Sequence, residues 1–157
     1  MKNFINNYLK EIEETASLLN KDVIQKIIFF LKKTKKNKGR IFFLGVGGGS
    51  GNATHAVNDF RKIANFECYS PSDNSSELTA RINDDGWDST YKNWLLTSNI
   101  SKNDSIFIFS VGGGDIKRKI SMNIVEAIKL AKKKNLQLFL LQGQMEVLQK
   151  KILMPAL

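Results

Sequence analysis

The chain has 157 residues, with 24 Lys+Arg against 15 Asp+Glu, a formal net charge of +9. That length suits one domain with its own core, and 42% hydrophobic content including ten Phe excludes a disordered chain. A single cysteine, Cys68, excludes a disulfide scaffold and any multi-cysteine zinc or iron–sulfur site. It also points to a reducing compartment. No apolar run approaches the ~18 residues of a membrane span. The opening MKNFINNYLKEIEE is charged and amphipathic, without the apolar region of a signal peptide. The expected setting is the cytoplasm, with no membrane partner.

Residues 3–19 place Phe4, Ile5, Tyr8, Leu9, Ile12 and Leu19 at helical spacing, and residues 21–37 repeat the pattern with Val23, Ile24, Ile27, Ile28 and Leu31. Asp22 favours the start of the second helix and Gly39 its end. Arg40–Leu44 reads as a buried strand, Gly45–Gly51 as a tight loop, and Asn52–Asn65 as an amphipathic helix capped by Asn52. A short strand follows at Phe66–Tyr69, then polar Ser70–Ser76 and a helical turn at Glu77–Ile82. Trp87–Leu96 predicts a helix with Trp87, Tyr91, Trp94 and Leu95 inward. Ser105–Phe109 is a second apolar strand, Ile116–Lys134 a long helix and Leu136–Leu141 a further strand. Continuous apolar strands alternating with helices predict an α/β fold, a three-layer α/β/α sandwich on a parallel sheet.

Two lysine clusters account for the basic charge: Lys32, Lys33, Lys35, Lys36, Lys38 and Arg40, then Lys129, Lys132, Lys133 and Lys134. Lysines neutralise phosphates, so nucleic-acid binding is one reading. The other is that each cluster closes a helix before a strand, where cations suit the negative end of the dipole. No aromatic interleaves with them and no nucleic-acid-binding motif accompanies them. No nucleic-acid partner is expected.

Two segments nearly repeat each other: IFFLGVGGGS (41–50) and IFIFSVGGGD (106–115). Each is strand, glycine loop, helix. Glycine brings backbone N–H groups close to a ligand, and a helix start adds partial positive charge, so such loops suit a phosphate. In parallel sheets the ligand lies beyond the carboxyl ends of the strands, where both loops fall. Nucleotide motifs are absent: neither loop carries Gly-Lys-Ser/Thr, and the first reads Gly45-x-Gly47-x-x-Ser50. The first loop opens a helix carrying His55, the chain's one histidine, and Asp59. Four residues apart, they share a face. Such a pair serves structure, moves a proton beside a carbonyl, or binds a metal.

Together GVGGGSGNATHAVNDF (45–60), SELTARINDDGW (76–87) and SVGGGD (110–115) resemble the sugar isomerase (SIS) domain family. Within it they are similar to the sedoheptulose 7-phosphate, or phosphoheptose, isomerases. The resemblance runs from the N-terminal helices to about Gly143. It implies conversion of sedoheptulose 7-phosphate to D-glycero-D-manno-heptose 7-phosphate, the first step to the heptose of bacterial surface polysaccharides, by a homotetramer often holding zinc. By position, His55 matches the family's metal-binding histidine and Asp59 its catalytic glutamate, so both are candidates for catalysis and for metal. Val46, Gly47, Gly48 and Ser50 fall in the first substrate loop, Asn83 and Asp84 match an Asn-Asp substrate contact, and Ser110 and Gly112 fall in the phosphate loop. Asp59 is one methylene shorter than the family's residue. The family's Ser-Thr-Ser-Gly-Asn-Ser loop is here Ser110–Asp115, short of three hydroxyls and carrying a carboxylate that repels phosphate unless it turns away or caps a helix.

The family continues with another strand and a helix bearing a Gln and a His, whereas QMEVLQKKILMPAL follows Gly143 here. The resemblance therefore implies a domain over 1–143 and an atypical tail over 144–157. A single-base deletion, in the gene or its sequencing, is the expected origin, with a natural divergent tail as the alternative: restoring one base to a back-translation chosen for the purpose reads GRDGGFTKKNSDACI, close to the family's Gly-Arg-Asp-Gly-Gly-x-Thr. The expected function is a sugar-phosphate isomerase. The alternative is a sugar-phosphate-binding module without chemistry.

Overall fold

The computed structural model describes residues 1–142. The expected tail and the boundary at Gly143 lie outside the described residues.

Two amphipathic helices come first, α1 (Lys2–Ser17) and α2 (Lys21–Lys36), with Asn20 capping α2 by accepting from the N–H groups of Asp22 and Val23. The alternation of strand and helix then runs β1 (Ile41–Gly45), α3 (Gly48–Lys62), β2 (Cys68–Tyr69), α4 (Ser75–Asp85), a 3-10 turn at Trp87–Ser89, α5 (Thr90–Thr97), β3 (Ser105–Ser110), α6 (Met122–Lys133) and β4 (Gln137–Gln142). The four strands pair in parallel in the order β2-β1-β3-β4. The order reverses between β1 and β3, which opens a crevice at their carboxyl ends.

Period-two alternation sorts each strand's residues to opposite faces. Phe42, Leu44, Ile106, Ile108, Leu138 and Leu140 pack on Tyr91, Trp94 and Leu95 of α5 and Ile124, Ala127, Leu130 and Ala131 of α6. Ile41, Phe43, Phe107, Phe109 and Phe139 pack on the other side against Leu31 of α2 and Ala53 and Val57 of α3. The three-layer sandwich and its parallel sheet are as the sequence predicts. Full burial of each such side chain contributes roughly 1.5–3 kcal/mol, so the centre of the sheet is its most stable part.

At the amino ends of the strands, Asp104 is 2% exposed and ties β1 to β3. It accepts from the Arg40 N–H (2.7 Å) and the Ser101 N–H (2.8 Å) and pairs with the Arg40 guanidinium (3.0 Å). Burial pushes its carboxyl up, but the hydrogen bonds from Arg40 and Ser101 outweigh this and leave it below the ordinary aspartate range. Both lysine clusters sit at this end, closing α2 and α6.

Four expectations change. The helix expected from Ile116 begins at Met122, because Asp115 and Ile120 exchange backbone hydrogen bonds (2.9 Å each) and fold residues 116–119 into a turn. Asn52 lies inside α3, whose cap position is Gly47. Lys38, not Gly39, takes the left-handed conformation after α2 (φ 55°); Gly39 is needed because a Cβ there would meet the Asn103 carbonyl. Trp87 is 37% exposed rather than inward.

Candidate active site

The crevice between β1 and β3 is a cleft of about 960 Å³. Val46, Gly48, Gly49 and Asn52 line it from the first loop and α3; Ser110, Val111, Gly112, Gly114, Asp115 and Arg118 line it from the second. The two glycine segments therefore converge on one space, as their position after neighbouring strands requires.

The glycines of the first loop divide by task. A Cβ on Gly49 would stand 2.5 Å from the Phe109 carbonyl oxygen, and one on Gly45 would run into the Gly49 backbone. These two let α3 start directly against the strand tips. Gly47 (φ 56°) and Gly48 meet nothing on their open side. Their N–H groups donate to no acceptor among the described residues, whereas those of Gly49 and Ser50 turn back to Val46 and Gly47. Unpartnered N–H groups at the start of a 15-residue helix carry the partial positive charge of its dipole. From below, the buried Tyr91 hydroxyl donates to the Gly45 carbonyl (2.5 Å), and burial pushes that phenol up to about 12.

In the second loop, Gly113 (φ 71°) and Gly114 (φ 89°) adopt conformations that disfavour a side chain. Gly114 also packs so closely that a Cβ would stand 2.7 Å from Val125 Cγ2. Ser110 Oγ accepts from the Gly113 N–H (3.0 Å), so this hydroxyl braces the loop, and its own proton has no acceptor among the described residues.

His55 and Asp59 project from α3 into solvent, with His55 Nε2 and Asp59 Oδ2 3.3 Å apart and side chains 78% and 44% exposed. Asn58 Nδ2 donates to the other oxygen of Asp59 (3.1 Å). Gly48, Asn52, His55 and Asp59 are spaced four, three and four residues, so they form one stripe along α3 leading out of the cleft. Of the residues singled out in the sequence, Val46, Gly48, Ser110 and Gly112 line the cleft. Gly47, Ser50, His55 and Asp59 stand beside it on the same loop and helix, outside its lining. Asn83 and Asp84 are exposed near the end of α4, with Asn83 Nδ2 donating to Asp84 Oδ1 (2.8 Å), and do not line it. Arg118 and Gln142 line the cleft without having been singled out, and Asn52, expected as a helix cap, lines it too. Asn52 falls four residues after Gly48, a spacing that would have placed it.

Catalytic zinc takes three protein ligands and an open position. His55 and Asp59 supply two donors, and among the described residues no third His, Cys, Asp or Glu joins them. The described residues alone do not fit a zinc centre.

No family model matches the chain. Solved phosphoheptose isomerases share its fold. The one from Francisella tularensis superposes with a TM-score of 0.78 at 17% identity, and that from Neisseria gonorrhoeae with 0.71 at 20%; each comparison covers 92% of this chain and 73% of that one. The phosphoheptose isomerase of Buchnera aphidicola subsp. Schizaphis graminum is 24% identical over 143 residues. That of Buchnera aphidicola subsp. Acyrthosiphon pisum is 32% identical over 154 residues, covering 91% of this chain and 67% of the relative. This chain thus spans about two thirds of the length of its curated relatives. With the strand-tip cleft and the resemblance of its loops, that likeness settles the family: the chain belongs to the phosphoheptose isomerases.

Proposed function

We propose that the chain carries the isomerase fold and site that convert sedoheptulose 7-phosphate to D-glycero-D-manno-heptose 7-phosphate, on the way to a surface-polysaccharide heptose. The observation that carries this reading is the single cleft formed by both glycine loops, with an imidazole–carboxylate pair on the helix that leaves it.

The chemistry needs one base and one electrophilic partner. The Asp59 carboxylate takes a proton from C1 of the ketose, the C1–C2 bond gains double-bond character, and the electron pair moves to the C2 oxygen. An enediol results. Transfer of the O1 proton and return of a proton to C2 complete the aldose. His55, held beside Asp59, donates to the carbonyl oxygen as charge develops there. NMR observation of sedoheptulose 7-phosphate with the chain tests this directly. Asp59→Asn is expected to lower turnover by at least ~100-fold with sugar-phosphate affinity retained; unchanged turnover removes Asp59 from the mechanism.

A second reading, a sugar-phosphate-binding module, is favoured by one observation: His55 and Asp59 lie outside the cleft lining. Binding without isomerisation in the same experiment selects it. Self-association, implied by the family resemblance, is supported by the exposed apolar stripe Phe4, Ile5, Tyr8, Leu9 and Ile12 on α1, a helix that buries no residue. A cytoplasmic setting is supported by the single cysteine, Cys68, which leaves the chain no internal disulfide.

A further inference from the structure

The second loop poses an electrostatic problem. It lacks the hydroxyl row that would hold a phosphate, its Gly113 N–H is taken by Ser110, and it places the Asp115 carboxylate in the cleft wall. An unneutralised carboxylate there would repel a phosphate dianion.

The turn that displaced the start of α6 answers it. Residues 116–119 are closed by the paired hydrogen bonds of Asp115 and Ile120, and Arg118 stands on that turn at the cleft wall. Its backbone N–H donates to Asp115 Oδ1 (2.9 Å) and its Nε to Asp115 Oδ2 (2.7 Å). Both carboxylate oxygens thus face Arg118, and the carboxyl stays below the ordinary aspartate range because of those two hydrogen bonds. The two terminal amino groups of the guanidinium have no partner among the described residues. A guanidinium bonded through Nε, on a side chain 71% exposed, presents those groups to the open side of the cleft as a fork, the geometry that suits two phosphate oxygens.

We propose that Arg118 is the phosphate-contacting and specificity-determining residue of this cleft, and that Asp115 is its positioning residue. This rests on the sugar-phosphate reading above.

The test titrates the full chain with inorganic phosphate, sedoheptulose 7-phosphate and sedoheptulose, following binding calorimetrically. Arg118→Ala is expected to weaken both phosphate-bearing probes by roughly ten- to a hundredfold, to leave any response to sedoheptulose unchanged, and to raise KM rather than lower kcat. Arg118→Lys, which keeps the charge but loses the fork, is expected to fall between. Equal phosphate affinity in the wild type and Arg118→Ala overturns the assignment, as does a wild type that binds no phosphate. If Arg118→Ala loses inorganic phosphate binding while the wild type isomerises nothing, the anion contact stands and the isomerase reading falls.

Discussion

The two glycine loops begin with nearly the same residues and end in different structures. After β1, one residue with positive φ, Gly47, suffices, and α3 starts at Gly48. After β3, two glycines turn left-handed, a braced turn intervenes and α6 waits until Met122. In the first loop the backbone itself, at Gly48 and Gly49, faces the cleft. In the second the Gly113 and Asp115 N–H groups are occupied, and a side chain, Arg118, joins the remaining backbone at the cleft wall. A shared strand–glycine text therefore fixes where a loop stands in the sheet, while the residues after the glycines decide what it offers.

The common frame of this comparison can be broken from the opposite end of the same strands. Asp104→Ala leaves the Arg40 and Ser101 N–H groups unpaired and the Arg40 guanidinium with only the Asn99 carbonyl, and is expected to cost about 3 kcal/mol in urea unfolding at pH 7. The carboxyl is held below its unfolded value near 3.9, so its contribution is present above that pH and is lost as pH falls through the folded value. Asp104→Asn is accordingly expected to flatten the acid limb of the stability profile below about pH 4. An unchanged profile would mean that Asp104 is not the tie.

Each loop also holds a glycine that rejects a methyl group. Gly49→Ala and Gly114→Ala each force a Cβ into a contact of 2.5 or 2.7 Å, and each is expected to cost roughly 1–3 kcal/mol. Gly48→Ala meets nothing in the first turn of α3 and should leave stability unchanged or raise it by about 0.4–1 kcal/mol. Equal losses at Gly48 and Gly49 would contradict the division of the first loop into packing and ligand-facing glycines.

Much of this was legible in the sequence. Apolar runs such as Ile41–Leu44 and Ser105–Phe109 announce strands buried on both faces, and the glycines after them announce where a ligand would sit. What stayed hidden was decided by partners distant in the chain or by competing local bonds. Ile116 and Ile120 carry helical spacing, yet Asp115 and Ile120 bond each other instead. Asn52 has the chemistry of a cap, but the helix had begun four residues earlier at an open glycine. Ser110 reads as a substrate hydroxyl, and only the left-handed Gly113 brings an N–H round to it. The spacing of Phe4, Tyr8 and Ile12 specifies a helix face without saying what covers it.

The central claim is that both loops grip one sugar phosphate. Amide NMR during a titration with sedoheptulose 7-phosphate tests it most directly. The Gly47 and Gly48 signals and the Gly112 signal are predicted to shift together along one binding curve. Response of one loop alone, or two curves with separate midpoints, would contradict a shared site.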